Sequence, residues 1–231
     1  MENKILCIIP ARSGSKGILN KNIIDLCGKP LISYVIESAI SSKIFDKIVV
    51  STNSEKISDV SKKYGAEVPF LRPEHLSTDE SLVKDAITYT LENIKEDYEY
   101  VCVLQPSSPL LLSEDIKGAY FLLKEKKAEM VVSVYESPVN INWVGSISDD
   151  LSMKNFFSKD ICHTRRQDFS KCFCLNGAIY FGEQKIFYYK EDYYKQDAYA
   201  YIMSRERSID IDSYGDLKMA EYFLKKRREN E

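Results

Sequence analysis

Through residue 135 the chain alternates short, unbroken apolar runs with longer stretches of helical apolar spacing, and this rhythm constrains the fold more than any other feature. Ile5-Leu6-Cys7-Ile8-Ile9 contains no polar residue, as expected of a strand covered on both faces. Similar runs recur at Lys47–Ser51, Glu67–Leu71, Tyr100–Gln105 and Met130–Val134. Between them lie helical patterns. One follows Pro30 (Leu31, Ile32, Val35, Ile36, Ala39, Ile40), and one is capped by Asn53 or Ser54 and stopped by Gly65. A third runs from Ser81 to about Lys95, and a fourth starts at Ser113 with Glu114 and Asp115 in its first turn, where the helix dipole favours anions. Strands separated by helices of this length require crossover connections, so the expectation is an α/β fold with a doubly wound, mainly parallel sheet.

The rhythm breaks after Tyr135. Residues 137–175 show no clear helix but carry Trp143, Phe156, Phe157, Phe169 and Phe173, so this stretch should pack on something or serve a function. Regular patterns return at Ala178–Phe181, at Ala198–Met203 and in a last helix from about Ser213 to Arg227. No repeat or low-complexity tract divides the chain, which reads as one domain over 1–231 with 137–175 inserted.

Composition removes several function classes. With 44% hydrophobic and 29% charged residues the chain is neither disordered nor a disulfide-stapled miniprotein. No run approaches the ~20 apolar residues of a membrane span, and Met1-Glu2-Asn3-Lys4 leads into a strand rather than a signal peptide. A net charge of −3 argues against general nucleic-acid binding. The expectation is a cytoplasmic protein with no membrane or nucleic-acid partner and six reduced cysteines. Cys172 and Cys174 lack a second close pair, and His75 and His163 are the only histidines, so the cysteines read as small apolar side chains rather than zinc ligands.

Pro10-Ala11-Arg12-Ser13-Gly14-Ser15-Lys16-Gly17 directly follows the first strand, with Lys21-Asn22 close behind. In doubly wound folds that loop faces the ligand crevice. Small residues at Ser13, Gly14, Ser15 and Gly17 let backbone N–H groups approach an anion, and Arg12, Lys16 and Lys21 supply charge. The loop matches neither GxGxxG nor GxxxxGK[ST], so hydride transfer and P-loop chemistry lose their support. Ser51-Thr52-Asn53, Arg72-Pro73 and Gln105-Pro106-Ser107-Ser108-Pro109 follow later strands and should converge on the same sheet edge, outlining a nucleotide-sized crevice.

Ile209-Asp210-Ile211-Asp212, if extended, sends both carboxylates to one face and both isoleucines to the other. Paired carboxylates repel unless a cation lies between them, and Mg²⁺ takes one or two carboxylates together with substrate phosphates. An amphipathic edge strand capping the last helix fits the segment equally well.

Four segments together carry a resemblance. Ile9 to Gly17 with Lys21-Asn22, Leu104-Gln105-Pro106-Ser107-Ser108-Pro109-Leu110, Asn176-Gly177-Ala178-Ile179-Tyr180 and Ser208-Ile209-Asp210-Ile211-Asp212 resemble, in family order, the acylneuraminate cytidylyltransferases (CMP-sialic acid synthetases). The resemblance implies a Rossmann-like nucleotidyltransferase fold and Mg²⁺-dependent transfer of CMP from CTP to the anomeric hydroxyl of a nine-carbon 2-keto sugar acid. It further implies a homodimer formed through the inserted segment. Its alternatives are activation of an eight-carbon keto sugar acid and a nucleotide-binding module without catalysis.

By position, Arg12 and Lys21 resemble the triphosphate-binding residues, the intervening Ser13, Gly14, Ser15 and Lys16 form the cradle, and Asn22 and Ser81 lie near the cytidine. The resemblance further implies that Arg72 and Gln105 line the nucleotide and sugar pockets, that Arg166 reaches the acid, that Asn176 is a substrate-binding position and that Asp210 and Asp212 bind the metal, which makes Arg12, Lys21 and Asp212 the catalytic set. Three positions depart from the family pattern: Leu19 replaces a proline, Leu111 an arginine, and Cys174-Leu175 an Arg-Pro pair. The implied acids are therefore of sialic, legionaminic or pseudaminic type.

Overall fold

The structure, a computed structural model, describes residues 4–14, 17–154, 156, 169–188 and 197–229. Ser15, Lys16 and Arg166 lie outside these residues.

A six-stranded sheet carries the fold, and its strands in chain order are β1 (Ile5–Pro10), β4 (Lys47–Ser51), β5 (Tyr100–Leu104), β6 (Met130–Glu136), β7 (Phe173–Glu183) and β8 (Ala198–Met203). A two-stranded hairpin, β2 (Asp25–Leu26) with β3 (Lys29–Pro30), lies apart from it. The order in the large sheet is β4-β1-β5-β7-β6-β8. β1 pairs in parallel with β4 and β5, and β6 with β8, while β7 runs antiparallel between β5 and β6. The mainly parallel α/β sheet expected from the sequence is therefore present, with one reversed strand.

The alternation within β1 shows why that strand contains no polar residue. Ile5, Cys7 and Ile9 pack on the side of α1 (Leu31–Ser42), α2 (Glu55–Lys63) and α4 (Ser113–Lys126). Leu6 and Ile8 pack on the other side with Ile87 and Leu91 of α3 (Val83–Ile94) and with Ile186 and Phe187. Both faces are covered, and burial of a large aliphatic side chain stabilises by roughly 1.5–3 kcal/mol. A third, smaller core sets α5 (Tyr214–Glu229) against Ile18, Leu26, Leu31 and Ile211.

Two expectations shift. Residues 67–71 form only isolated bridges, Val49 with Glu67 and Thr52 with Leu71, rather than a strand, because Pro69 between them has no N–H to continue a ladder. Residues 209–212 form no strand either; they run as an extended loop from a short 3₁₀ turn (Glu206–Ser208) into α5. β7 begins at Phe173, inside the stretch read as irregular. Cys7 and Cys102 are buried neighbours across β1 and β5, where burial pushes both thiols up, as expected of core residues. Among the described residues no helix is long and apolar enough to cross a membrane.

Candidate active site

The carboxyl ends of β1, β4 and β5 open on a cleft of about 460 Å³. Arg12, Gly17, Lys21, Asn22, Arg72, Asp79, Ser81, Gln105, Ser107 and Asp212 line it, bringing together ten residues from five separate segments, all but Asp79 singled out by the sequence.

The loop after β1 is held from behind. Ala11 N–H donates to Ser51 at 2.9 Å, Ser13 N–H donates to Asn53 Oδ1 at 3.0 Å, and Asn22 Nδ2 donates to the Arg12 carbonyl at 2.9 Å. Ser13 therefore serves the loop's shape, and Ser54 rather than Asn53 caps α2. A Cβ on Gly17 would lie 2.2 Å from the Asp212 carbonyl oxygen, so only glycine lets this loop close on the 209–212 segment. A Cβ on Gly14 would meet nothing within 4 Å, so that glycine leaves open space rather than relieving a clash.

The cations are presented by partners. Arg12 pairs with Asp79 at 2.8 Å and also donates to the Thr78 carbonyl. Lys21 Nζ lies 2.8 Å from Asp212 Oδ1, spanning 191 residues of chain. Arg72 is buried, its Nε donating to Ser77 Oγ at 2.9 Å and its Nη1 to the Ser51 carbonyl at 3.4 Å. Burial, and then the nearby Arg12 guanidinium, lower its pKa to about 10. Two guanidiniums that repel each other across a cleft create a site for an anion. Ser81 holds the adjoining turn, bonding to Thr78 and donating to the His75 carbonyl at 3.0 Å.

The aspartate pair straddles two spaces. Asp212 faces the cleft, whereas Asp210 lines a neighbouring cavity of about 580 Å³ with Tyr135, Arg205, Ser208, Met219 and Phe223. Ile211 between them is fully buried, and its N–H donates to the Ser107 carbonyl at 2.9 Å, fixing the segment beside the Gln105–Ser108 turn. Ile211 turns inward as the alternation predicts, but the two carboxylates open on different spaces rather than sharing one face, because no strand partner holds the segment flat. Burial, and then the Asp212 charge, raise the Asp210 pKa, against the opposing hydrogen bond from Ser107. Ser213 and Asp216 close a reciprocal cap on α5: Ser213 N–H donates to Asp216 Oδ2 at 2.8 Å and Asp216 N–H to Ser213 Oγ at 3.4 Å.

Among the described residues no group of three or more His, Cys, Asp or Glu side chains forms a metal cage. Asp210 and Asp212 supply two hard oxygen ligands, and the Asp212 charge adds to the cost of ionising Asp210, a set that suits Mg²⁺ completed by phosphate oxygens.

Asn176, which the resemblance placed among the substrate-binding residues, lines neither the cleft nor the Asp210 cavity. Its Nδ2 donates to Ser208 Oγ at 2.9 Å and its Oδ1 accepts from Ser133 Oγ at 2.5 Å, so the amide is consumed in tying β7 to β6 and to the turn before Asp210. Leu111 is buried in the main core and its carbonyl accepts from Ser38 Oγ at 2.7 Å, so its replacement of an arginine does not alter the cleft wall. Sequence reasoning missed Asp79 and the partners of the 206–208 turn, because each acts on a residue far away in the chain.

Comparison with known proteins shows the family. The cytidylyltransferase family model matches residues 6–228. The chain belongs to this family. It is 37% identical to the pseudaminic acid cytidylyltransferase of Campylobacter jejuni over 98% of this chain and 99% of that one. It is 34% identical to the CMP-N,N'-diacetyllegionaminic acid synthase of Legionella pneumophila over 98% of both, and 38% identical to the N-acylneuraminate cytidylyltransferase of Escherichia coli over 95% of this chain and 52% of that longer one. Among solved structures, a CMP:2-keto-3-deoxy-manno-octonic acid synthetase complexed with CTP superposes with a TM-score of 0.75, covering 97% of this chain and 99% of that one at 14% identity, which speaks for the fold alone.

Proposed function

We propose that this cytidylyltransferase transfers CMP from CTP to the anomeric hydroxyl of a nine-carbon 2-keto sugar acid of pseudaminic, legionaminic or sialic type, releasing pyrophosphate. The observation that carries the reading is the Lys21–Asp212 pair at 2.8 Å, which brings the phosphate-facing cation and the nearer of the two carboxylates to one edge of one cleft.

Arg12, Lys21 and Arg72 present three positive charges to the triphosphate, and Asn22, Ser81 and Gln105 line the space left for the nucleoside. Charge on the leaving pyrophosphate is stabilised by donors that are already oriented, Arg12 by Asp79 and Lys21 by Asp212. Asp210 and Asp212 would hold Mg²⁺, which when bound neutralises α-phosphate oxygens and lowers the pKa of a coordinated hydroxyl. The Asp210 cavity, with its Tyr135 and Phe223 walls and Arg205 at its rim, offers the adjoining room for the acceptor.

Pyrophosphate release with CTP and a panel of nonulosonic acids tests the reading. Turnover with at least one nine-carbon acid is expected. Turnover with only an eight-carbon acid, or CTP binding without turnover on any acid, would overturn it.

We also propose a homodimer through the inserted segment. Val139, Ile141, Trp143, Val144, Ile147, Leu151 and Met153 are exposed along it, a density of apolar surface that a second copy would cover. Sedimentation at micromolar concentration should show a dimer, and a monomer there would remove the proposal.

A further inference from the structure

Asp115 and Arg207 stand 92 residues apart, and nothing near either in the sequence links them. In the fold Asp115 is almost wholly buried in the first turn of α4, where its Oδ2 accepts the Leu112 N–H at 3.2 Å. Arg207 grips the same carboxylate with two bonds, Nε to Oδ2 at 3.0 Å and Nη2 to Oδ1 at 3.1 Å. The Tyr201 hydroxyl of β8 reaches Oδ1 at 3.4 Å. Gly118, a helix-weakening residue in the interior of α4, makes room for this: a Cβ there would lie 2.6 Å from the Tyr201 ring and hydroxyl.

Arg207 sits in the middle of the 3₁₀ turn that leads to Asp210. Ser208, next in the chain, is held by the Asn176 amide at 2.9 Å and itself donates to the Ser204 carbonyl at 2.8 Å. Beyond Asp210, the Ile211 N–H is fixed on the Ser107 carbonyl. Asp210 is therefore bracketed, with two tethers before it and one after.

A carboxylate–guanidinium pair with its carboxylate buried and its guanidinium half-buried is a weak device for stability alone, since apolar side chains of similar volume hold two elements together at least as well. What the pair adds is direction, because a planar fork on a carboxylate permits one relative orientation. We propose that Asp115 and Arg207 are positioning residues for CMP transfer: they orient the 204–208 turn from the far side of α4 and so set the Asp210 carboxylate at the boundary of the cleft. The proposal rests on the reading of the cleft given above. Misplacement of a reacting group by about 1 Å costs on the order of 100-fold in rate.

Two variants test it. Arg207→Lys keeps the charge opposite buried Asp115 but loses the fork. The double variant Asp115→Asn/Arg207→Gln removes both charges without stranding either. For each, kcat, the KM for CTP, the melting temperature and the Mn²⁺ affinity in complex with a non-hydrolysable CTP analogue are measured. The expected result is a kcat lower by about 10–100-fold, a KM for CTP within about twofold of wild type, and a Mn²⁺ affinity weakened by a similar factor to kcat. Wild-type kcat and Mn²⁺ affinity would overturn the proposal whatever the melting temperature. So would an equal loss of CTP-analogue affinity, which would mark collapse of the whole cleft, or failure of Arg207→Lys to fold, which would make the pair a structural necessity. If the wild-type enzyme turns over no acid, the functional reading fails, while Mn²⁺ affinity still decides whether the pair sets Asp210.

Discussion

The two walls of the cleft are built on different principles. On the cation wall, Arg12, Lys21 and Asn22 sit within a dozen residues of β1, and the loop that bears them is braced by Ser51 and Asn53 at the end of the adjoining strand. On the carboxylate wall, Asp210 and Asp212 belong to a segment with no strand partner. That segment takes its place from Ser107, Asn176, Asp115 and the Gly17 approach, contributed by four distant parts of the chain. A wall made from one strand and its following loop comes with the sheet. A wall assembled by long-range contacts exists only once the whole domain is packed, so substitutions remote from the substrate should disturb it first.

The largest effect should come from the carboxylates themselves. Asp210→Asn is expected to lower kcat by at least ~100-fold while CTP affinity stays near wild type, because the cation wall is untouched; Asp212→Asn should lower kcat as much and also weaken CTP binding, because it releases Lys21. A Mg²⁺ titration of kcat for both variants checks this, and near-normal turnover would take the metal role away from the pair. Next comes the point where the walls meet. Gly17→Ala places a methyl group against the Asp212 carbonyl, so one wall must retreat, and kcat/KM for CTP should fall by roughly tenfold to 100-fold. An unchanged value would mean the close approach is incidental.

Lys21→Ala tests the cation wall alone. It should lower kcat/KM for CTP by about tenfold, the scale of one charge-assisted contact, where loss of an uninvolved lysine would change almost nothing. The smallest effect concerns pH. The folded-state pKa of Asp210 is raised, so the fold binds its proton more tightly than the unfolded chain does. Stability from this group is therefore present at low pH and lost as pH climbs from the ordinary carboxylate range through the raised value. Asp210→Asn should then melt slightly higher than wild type at neutral pH, with the gap closing in acid. A lower melting point at neutral pH would contradict the direction of the shift.

Much of the cation wall was legible in the sequence for the same reason that it is robust. An apolar run covered on both faces announces β1, and the glycine-rich, basic loop after it must lie at the strand's carboxyl end, so Arg12 and Lys21 could be placed before any contact was known. The aspartates were legible as a pattern, since Ile211 goes in and Asp212 comes out, but their strand was not there. Period-two alternation reports which side is buried and not whether a neighbour completes a ladder. Asn176 was read as a substrate-binding residue, yet its amide is spent on Ser133 and Ser208. Asp115 looked like an ordinary first-turn acid of a helix, and its local sequence gives no hint of Arg207. Contacts across such separations leave no periodic trace.

The reversed strand carries a consequence for how such a protein can change. Because β7 runs against β5 and β6, its first residues lie beside the last residues of β6, with Phe173 opposite Glu136. The inserted segment therefore leaves and rejoins the sheet at one place, on the same edge as the cleft, like a loop of cord tied at a single knot. Lengthening, shortening or resurfacing that excursion moves neither end of either strand. A lineage can thus remodel that excursion while the strands and the basic loop that build the cleft are inherited intact.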